Sequence, residues 1–166
     1  SELRRVKHGP ERDERIPGIG TVRFVVRCNG DAEGVLEAAK AVVEAVACQC
    51  AAGWSDDVNW HAILPERFVT ACAEEMTEQE AVAWMQHWRT LSHSQREAEE
   101  QGRQWSLLNW LYWLGPAERM WQWWDAQLIN EDAIAVAVAV ESWPFPWAAI
   151  AWLFRGCGAL AVEAES

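Results

Sequence analysis

Residues 105–155 read WSLLNWLYWLGPAERMWQWWDAQLINEDAIAVAVAVESWPFPWAAIAWLFR and hold nine of the thirteen tryptophans in this 166-residue chain. Apolar residues alternate with a period of two along three segments of this stretch, and Gly115-Pro116 and residues 130–132 separate the segments. A period of two is typical of β-strands that have one buried face. The stretch therefore predicts three antiparallel strands, and residues 146–155 predict a short helix after them.

The three predicted strands cover residues 106–114, 120–129 and 133–140. The third strand places branched side chains on one face and only alanine on the other. A strand that is apolar on both faces is usually central in its sheet. The first segment also fits a helix, because its leucines recur at helical spacing, although the alternation of the whole segment favours a strand.

Upstream segments supply the remaining elements. Residues 21–28 (TVRFVVRC) alternate and predict an N-terminal strand, and residues 32–52 carry apolar side chains at helical spacing. Thr77 and Glu80 form a capping box that predicts the start of a further helix. We therefore predict an α+β fold with an antiparallel sheet, made of the N-terminal strand and a C-terminal three-strand meander. Helices from the middle of the chain and a C-terminal helix are expected to cover this sheet.

The length of the chain predicts a single domain. Residues 1–20 are polar and contain Gly9-Pro10 and Pro17-Gly18 breaks, so they predict a flexible basic arm. We expect the α+β domain to cover residues 21–160 and residues 161–166 to form a tail.

Charge is unevenly distributed along the chain. Residues 1–27 carry seven basic and four acidic side chains, the rest carries seven basic and 21 acidic ones, and the net charge is −11. An acidic body repels phosphate, so we expect no binding to nucleic acid. It would attract a basic protein partner, although a large net charge also serves solubility alone.

The number of cysteines and the length of the apolar runs indicate the cellular compartment in which the protein is expected. The five cysteines are odd in number and irregular in spacing, which favours a reducing, cytoplasmic location. The longest apolar run, residues 133–140, is far shorter than the ~20 residues that span a bilayer. The N-terminus also lacks the apolar segment of a secretion signal. We therefore expect a cytoplasmic protein with no membrane association.

Metal-ligating side chains are present but badly spaced. Cys48, Cys50, Cys72 and His61 are of the types that bind zinc. Cys48 and Cys50 lie two residues apart on a predicted helix, so their side chains diverge. We therefore expect neither a metal nor another cofactor.

Signatures of nucleophilic catalysis and of phosphate-binding glycine loops are absent from the sequence. One loop contains Asp56, Asp57 and His61, whose side chains are of the types that transfer protons. This group is the one candidate for an enzyme of unrecognised type, although paired acidic residues in a loop more often form turns.

The tryptophans allow two interpretations. If Trp110, Tyr112, Trp121 and Trp123 share an uncovered face of the sheet, they form an aromatic platform that could stack on a sugar or a protein partner. If the face is covered, the same rings fill the core. The core interpretation is favoured, because buried aromatic side chains commonly dominate protein interiors.

Two motifs, WQWWDA at 121–126 and WPFPW at 143–147, are followed by an amphipathic helix that ends in glycine. Residues 77–159, which contain both motifs, resemble small uncharacterised bacterial proteins. This resemblance implies a bacterial origin and assigns no activity to the chain. The small, acidic α+β profile is also similar in type to that of immunity proteins, which neutralise toxins. That likeness implies no site residues.

The favoured functional hypothesis is a non-catalytic interaction protein, of the immunity or antitoxin type, that binds a basic partner. Its expected contacts are the acidic loops at Asp56 and Asp57 and at Glu131 and Asp132. The first alternative is a small-ligand or carbohydrate-binding module that uses the tryptophan platform. The second alternative is an enzyme centred on His61.

Overall fold

A computed structural model describes residues 1–165 of the chain. Along these residues the elements are α1 (Glu2–His8), β1 (Gly20–Arg27), α2 (Ala32–Ala52), α3 (Trp60–Ile63), α4 (Glu66–Ala71), α5 (Glu78–Arg89), α6 (His93–Gly102), α7 (Leu107–Leu114), β2 (Trp121–Asn130), β3 (Ala133–Val140), α8 (Ala148–Gly156) and β4 (Ala161–Ala164). Every helix in this part of the chain is too short or too polar to cross a membrane.

The four strands form one antiparallel sheet in the order β2-β3-β1-β4. Phe24 of β1 lies opposite Val136 of β3 on one side and opposite Ala164 of β4 on the other. The predicted α+β class, the antiparallel sheet and the central position of β3 are confirmed. The N-terminal strand is central as well, since β1 lies between β3 and β4.

One face of this sheet carries the core. Phe24, Val26 and the branched residues of β3 point to this face and are buried. Helix α2 packs on β2 and β3, α8 packs on α2 and β4, and α7 packs on α8. Aromatic rings join the layers: Trp123 of β2 stacks on Phe154 of α8 with 6.2 Å between the ring centroids.

The prediction of a strand at residues 106–114 is wrong, because this segment forms α7. Leu107, Leu111 and Leu114 are buried, whereas Leu108 and Tyr112 are exposed, which is the burial pattern of a helix. The helical spacing of the leucines therefore matches the structure of this segment, whereas the alternation of its aromatic residues does not. The third C-terminal strand of the sheet is β4, and the C-terminal strands do not form a simple meander.

The two chain ends also differ from the prediction. Residues 2–8 of the expected flexible arm form α1, in which Arg5 and Val6 are buried. Residues 161–164 of the expected tail form β4, which pairs with β1. Both elements are short and carry little apolar pattern, so their long-range contacts fix them more than their own sequences do.

Helix α1 covers the outer edge of β2 through a buried ion-pair network. Glu2 accepts hydrogen bonds from both terminal nitrogens of Arg119, at 2.8 and 2.7 Å, and from the backbone N–H of Trp123 at 2.7 Å. Arg5 donates to the backbone carbonyl of Trp123 at 3.0 Å. The exposed edge of a sheet is prone to pair with other chains, and these contacts block this edge at Trp123.

A second carboxylate completes the network. Glu14 accepts a hydrogen bond from Arg5 at 2.9 Å, and this bond lowers the pKa of the Glu14 carboxyl below its ordinary value of 4.5. A carboxyl with a depressed pKa stabilises the fold above its ordinary pKa. The contribution is lost as the pH falls through the depressed value, so the docking of α1 should weaken only in acid.

We expect Glu2→Ala to lower the free energy of unfolding by about 3 kcal/mol, because removing one partner leaves Arg119 buried with an unpaired charge. Urea denaturation measures this change. The matched control is Glu11→Ala, since Glu11 pairs with Arg4 at 3.3 Å in an exposed position. It should change stability by no more than about 0.5 kcal/mol, and equal losses in both variants would contradict the role of the Glu2 network.

Candidate functional site

The hairpin of helices α5 and α6 stands outside the core. Among the described residues, none between 73 and 104 belongs to the cluster of buried side chains, and α5 has no buried residue at all. Local capping explains why both helices form. The Thr77 hydroxyl accepts a hydrogen bond from the Glu80 backbone N–H, and Ser92 forms a capping box with Gln95.

The base of this hairpin is tied to the body at a narrow neck. Ala73 donates its backbone N–H to the carbonyl of Trp105 at 2.9 Å. The Arg155 guanidinium donates to the carbonyls of Arg103 and Gly102, at 2.9 and 3.2 Å. Carbonyl groups at the end of a helix need such partners, so Arg155 fixes the end of α6 to α8.

A cleft of about 1010 Å³ lies between the hairpin and the body. Its walls come from α5, α6, one side of α7, the start of β2 and the segment that leads into α8. Six indole rings line it: Trp84, Trp88, Trp105, Trp113, Trp121 and Trp147. Binding sites for small molecules typically measure ~300–1,000 Å³, so this cleft has room for a large ligand or for a segment of a protein.

The cleft is also acidic. Five glutamates line it, against Arg96, Arg103 and His93: Glu74, Glu75, Glu97, Glu100 and Glu118. Glu100 pairs with Arg103 at 3.2 Å, and Glu97 pairs with His93 at 3.3 Å in an exposed position. Glu74 has no ion-pair partner within the described residues. The cleft therefore favours a cation.

Guanidinium groups of the protein already lie on several indoles of the cleft. The Cζ atom of Arg103 is 4.3 Å from the ring centroid of Trp105 and 5.4 Å from that of Trp84. Arg96 lies 5.4 Å from the ring centroid of Trp88. Cations within about 6 Å of an indole face are attracted by the ring, so these rings are placed to bind positive charge.

The four residues of the possible sheet-face platform do not share an exposed face. Trp110, Trp121 and Trp123 are 0%, 4% and 1% exposed, whereas Tyr112 is 59% exposed. Trp110 packs edge-on against Phe68 and donates its indole N–H to the Ala149 carbonyl at 2.9 Å. The core interpretation is correct for these three rings, and only Trp121 also reaches the floor of the cleft.

The two predicted acidic loops are exposed but lie apart. Asp56 and Asp57 follow the C-terminus of α2. The backbone carbonyl of Asp132 accepts from Cys28, and its carboxylate accepts from Gly30 at 2.8 Å, next to the N-terminus of α2. With a rise of about 1.5 Å per residue, the 21 residues of α2 separate the loops by about 30 Å.

None of these carboxylates lines the cleft. Glu131 is exposed at the tip of the β2–β3 turn, and its backbone carbonyl accepts from Ala32. His61 is exposed on α3 and also lies outside the cleft.

The candidate zinc ligands remain scattered. Within residues 1–165, no group of three or more His, Cys, Asp or Glu side chains converges on a position that could hold a metal ion. Cys48 is exposed, and Cys50 and Cys72 are half-buried. Burial raises the pKa of both half-buried thiols, which keeps them in the protonated form that binds metals poorly.

Sequence reasoning missed the cleft as a site. In the sequence, Trp84 and Trp88 recur at helical spacing, and residues 94–103 are polar all round. Helix α5 carries apolar residues at half of its positions, whereas α6 is polar all round and offers no apolar face to pack on. This difference in composition is the feature of the sequence that could have predicted a hairpin outside the core with a cavity behind it.

Comparison of the chain with models of known protein families, with curated proteins and with solved structures gave no significant match.

We expect Trp110→Ala to lower the free energy of unfolding by about 3–5 kcal/mol, because it leaves a cavity in the core. Tyr112→Ala, two residues along on the exposed face of α7, should change stability by about 0.5 kcal/mol or less. Urea denaturation of both variants tests the assignment. Similar losses at the two positions would contradict a buried Trp110 and an exposed Tyr112.

The thiols should differ in reactivity at pH 8. Burial raises the pKa of Cys157 to about 12, so the reactive thiolate is nearly absent. We expect Ellman's reagent to modify Cys48 first and Cys157 only after unfolding in urea. The variant Cys48→Ser should lose the fast phase. A fast phase that persists in this variant would mean that a buried thiol is accessible.

Proposed function

We propose that the protein is a non-catalytic interaction protein that binds a basic, partly apolar segment of a partner protein in the cleft between the α5–α6 hairpin and the body. The observation that carries this proposal is the combination of six indole rings and five carboxylates in one cavity of about 1010 Å³. Indole faces and carboxylates both attract cations, and indoles also bury apolar side chains.

The charge of the whole molecule supports the same partner. The chain carries a net charge of −11. A field of this sign speeds the approach of a basic protein and disfavours acidic competitors. Because exposed charges are screened by salt, binding should weaken as the ionic strength rises.

The surface around the cleft favours a protein segment over a small molecule. Met76, Val82 and Met85 of the hairpin region are 48%, 57% and 47% exposed. Leu108, at the start of α7, is 64% exposed. Large apolar side chains exposed on a surface commonly mark a protein interface. Met76 and Met85 line the cleft, whereas Val82 and Leu108 lie outside it, so a ligand confined to the cavity would leave these two in water.

Binding to a basic surface is the action of an inhibitor of the immunity or antitoxin type. A toxin that acts on nucleic acid needs a basic active surface to bind phosphate. An acidic protein that covers such a surface blocks the substrate. This role agrees with the charge of the chain and with the bacterial origin that the resemblance of residues 77–159 implies.

A small-ligand or carbohydrate-binding module is the second candidate. The observation that favours it is the number of indoles in the cleft, since tryptophan rings stack on sugar faces. The possible platform on the sheet is not part of this candidate, because three of its four residues are buried. Titration with a glycan panel, followed by tryptophan fluorescence, tests it directly.

Selection from a displayed library of random peptides tests the partner's chemistry. We expect the protein to enrich basic peptides that also carry apolar residues. The variant Glu74→Gln/Glu97→Gln should bind these peptides about tenfold more weakly, because each exposed charge pair contributes ~0.2–1 kcal/mol. The matched control Asp56→Asn/Asp57→Asn removes two charges from a loop outside the cleft and should bind normally.

Enrichment of acidic or neutral peptides would contradict the proposal. Loss of binding in the Asp56/Asp57 variant alone would move the interface to the α2–α3 loop and away from the cleft. A response to glycans that the cleft variant abolishes, with no peptide enrichment, would establish the second candidate.

A further inference from the structure

We propose that Trp84, Trp105 and Glu100 form a guanidinium-binding cage within the cleft, that Arg103 fills this cage in the free protein, and that an arginine of the partner replaces it. The inference rests on the proposed function for the source of the incoming arginine. The cage itself is a property of the free protein and can be tested without the partner.

The geometry around Arg103 is that of a bound planar cation. Its Cζ atom lies 4.3 Å from the ring centroid of Trp105 and 5.4 Å from that of Trp84, so two indoles contact one guanidinium. Its Nη1 atom donates to the Glu100 carboxylate at 3.2 Å. Two aromatic faces and one carboxylate satisfy the charge and the plane of a guanidinium together.

The described cleft walls carry two guanidinium groups, and that of Arg103 is the one that lies between two rings and beside a carboxylate. Arg96 lies on the ring of Trp88 alone and donates to the backbone carbonyl of the same residue at 3.2 Å. Among the described residues, the Glu100 carboxylate is the hydrogen-bond partner of the Arg103 side chain. An incoming arginine can make the same contacts, so exchange costs little.

The backbone allows this exchange without unfolding. Arg155 holds the Arg103 carbonyl at 2.9 Å, so the neck stays in place when the Arg103 side chain leaves. Trp84 lies on α5, which has no buried residue, so this wall can adjust to a new occupant. On the other side, Trp105 is only 3% exposed and provides a fixed face.

A guanidinium is favoured over an ammonium in this cage. A planar, delocalised cation stacks between two rings and loses less hydration than a compact ammonium does. The cage therefore selects arginine over lysine in the partner, which a cleft that was merely acidic would not do.

Arg103→Ala tests the cage with methylguanidinium as the probe and methylammonium as its competitor. The indole N–H signals of Trp84 and Trp105 in ¹H–¹⁵N spectra of the whole protein report binding. We expect methylguanidinium to shift both signals saturably in Arg103→Ala, at least tenfold more tightly than in the unsubstituted protein. Methylammonium should bind more weakly. The matched control is Arg89→Ala, which removes a charge from an exposed position of α5 outside the cleft and should behave like the unsubstituted protein.

An Arg103→Ala variant that keeps its fold but shows no shift of either signal would overturn the proposal, as would equal binding in the unsubstituted protein. Arg103→Gln serves as the second variant if the alanine variant does not fold, with the same expected shifts and the same contradicting outcome. If methylguanidinium binds in the cage but the selection does not enrich basic peptides, the proposed function is rejected and the cage is retained. Enrichment that does not distinguish arginine from lysine would reject the cage alone.

Discussion

The structure depends on the burial of one apolar sheet face, and three helices are enough to achieve it. Helices α2 and α8 pack on this face and α7 closes the layer, with Trp123 stacked on Phe154 between strand and helix. Burial of apolar area is the dominant favourable contribution to folding. Since the core is complete without any described side chain from residues 73–104, the α5–α6 hairpin is not needed to close it. Its acidic and apolar side chains remain outside the core, where the proposed partner would contact them.

This division separates the tryptophans into two sets with different roles. Trp110 and Trp123 are core residues and fix the helices on the sheet. Trp84 and Trp88 are half-buried on α5 and face the cleft together with their arginines. The first set serves stability. The second set lies in the least buried element of the molecule, where a helix can respond to a ligand at little cost to the core.

The parts of the fold that the sequence predicted are those with one clear periodicity. β1 and β3 alternate strictly, and α2 has a regular apolar stripe, so local pattern and tertiary burial agree. The prediction for residues 107–114 was wrong because their leucine and aromatic residues fit both the strand period and the helix period. Packing on α8 favours the helix. Helix α1 was not predicted because its buried arginine does not contribute to an apolar pattern in the sequence. The cleft joins α5 and α6 to the distant residues 145–149, and no local pattern encodes such a contact.

Hydrogen exchange of individual backbone amides, measured on the whole protein by NMR, tests most directly whether the hairpin lies outside the cooperative core. Amides in β3 and α2 should exchange only through global unfolding, because their side chains form the core. Amides in α5 should exchange much faster and with little dependence on denaturant, since local opening of this helix exposes no buried side chain. Protection of α5 equal to that of β3 would contradict the account, because it would make the hairpin part of the core.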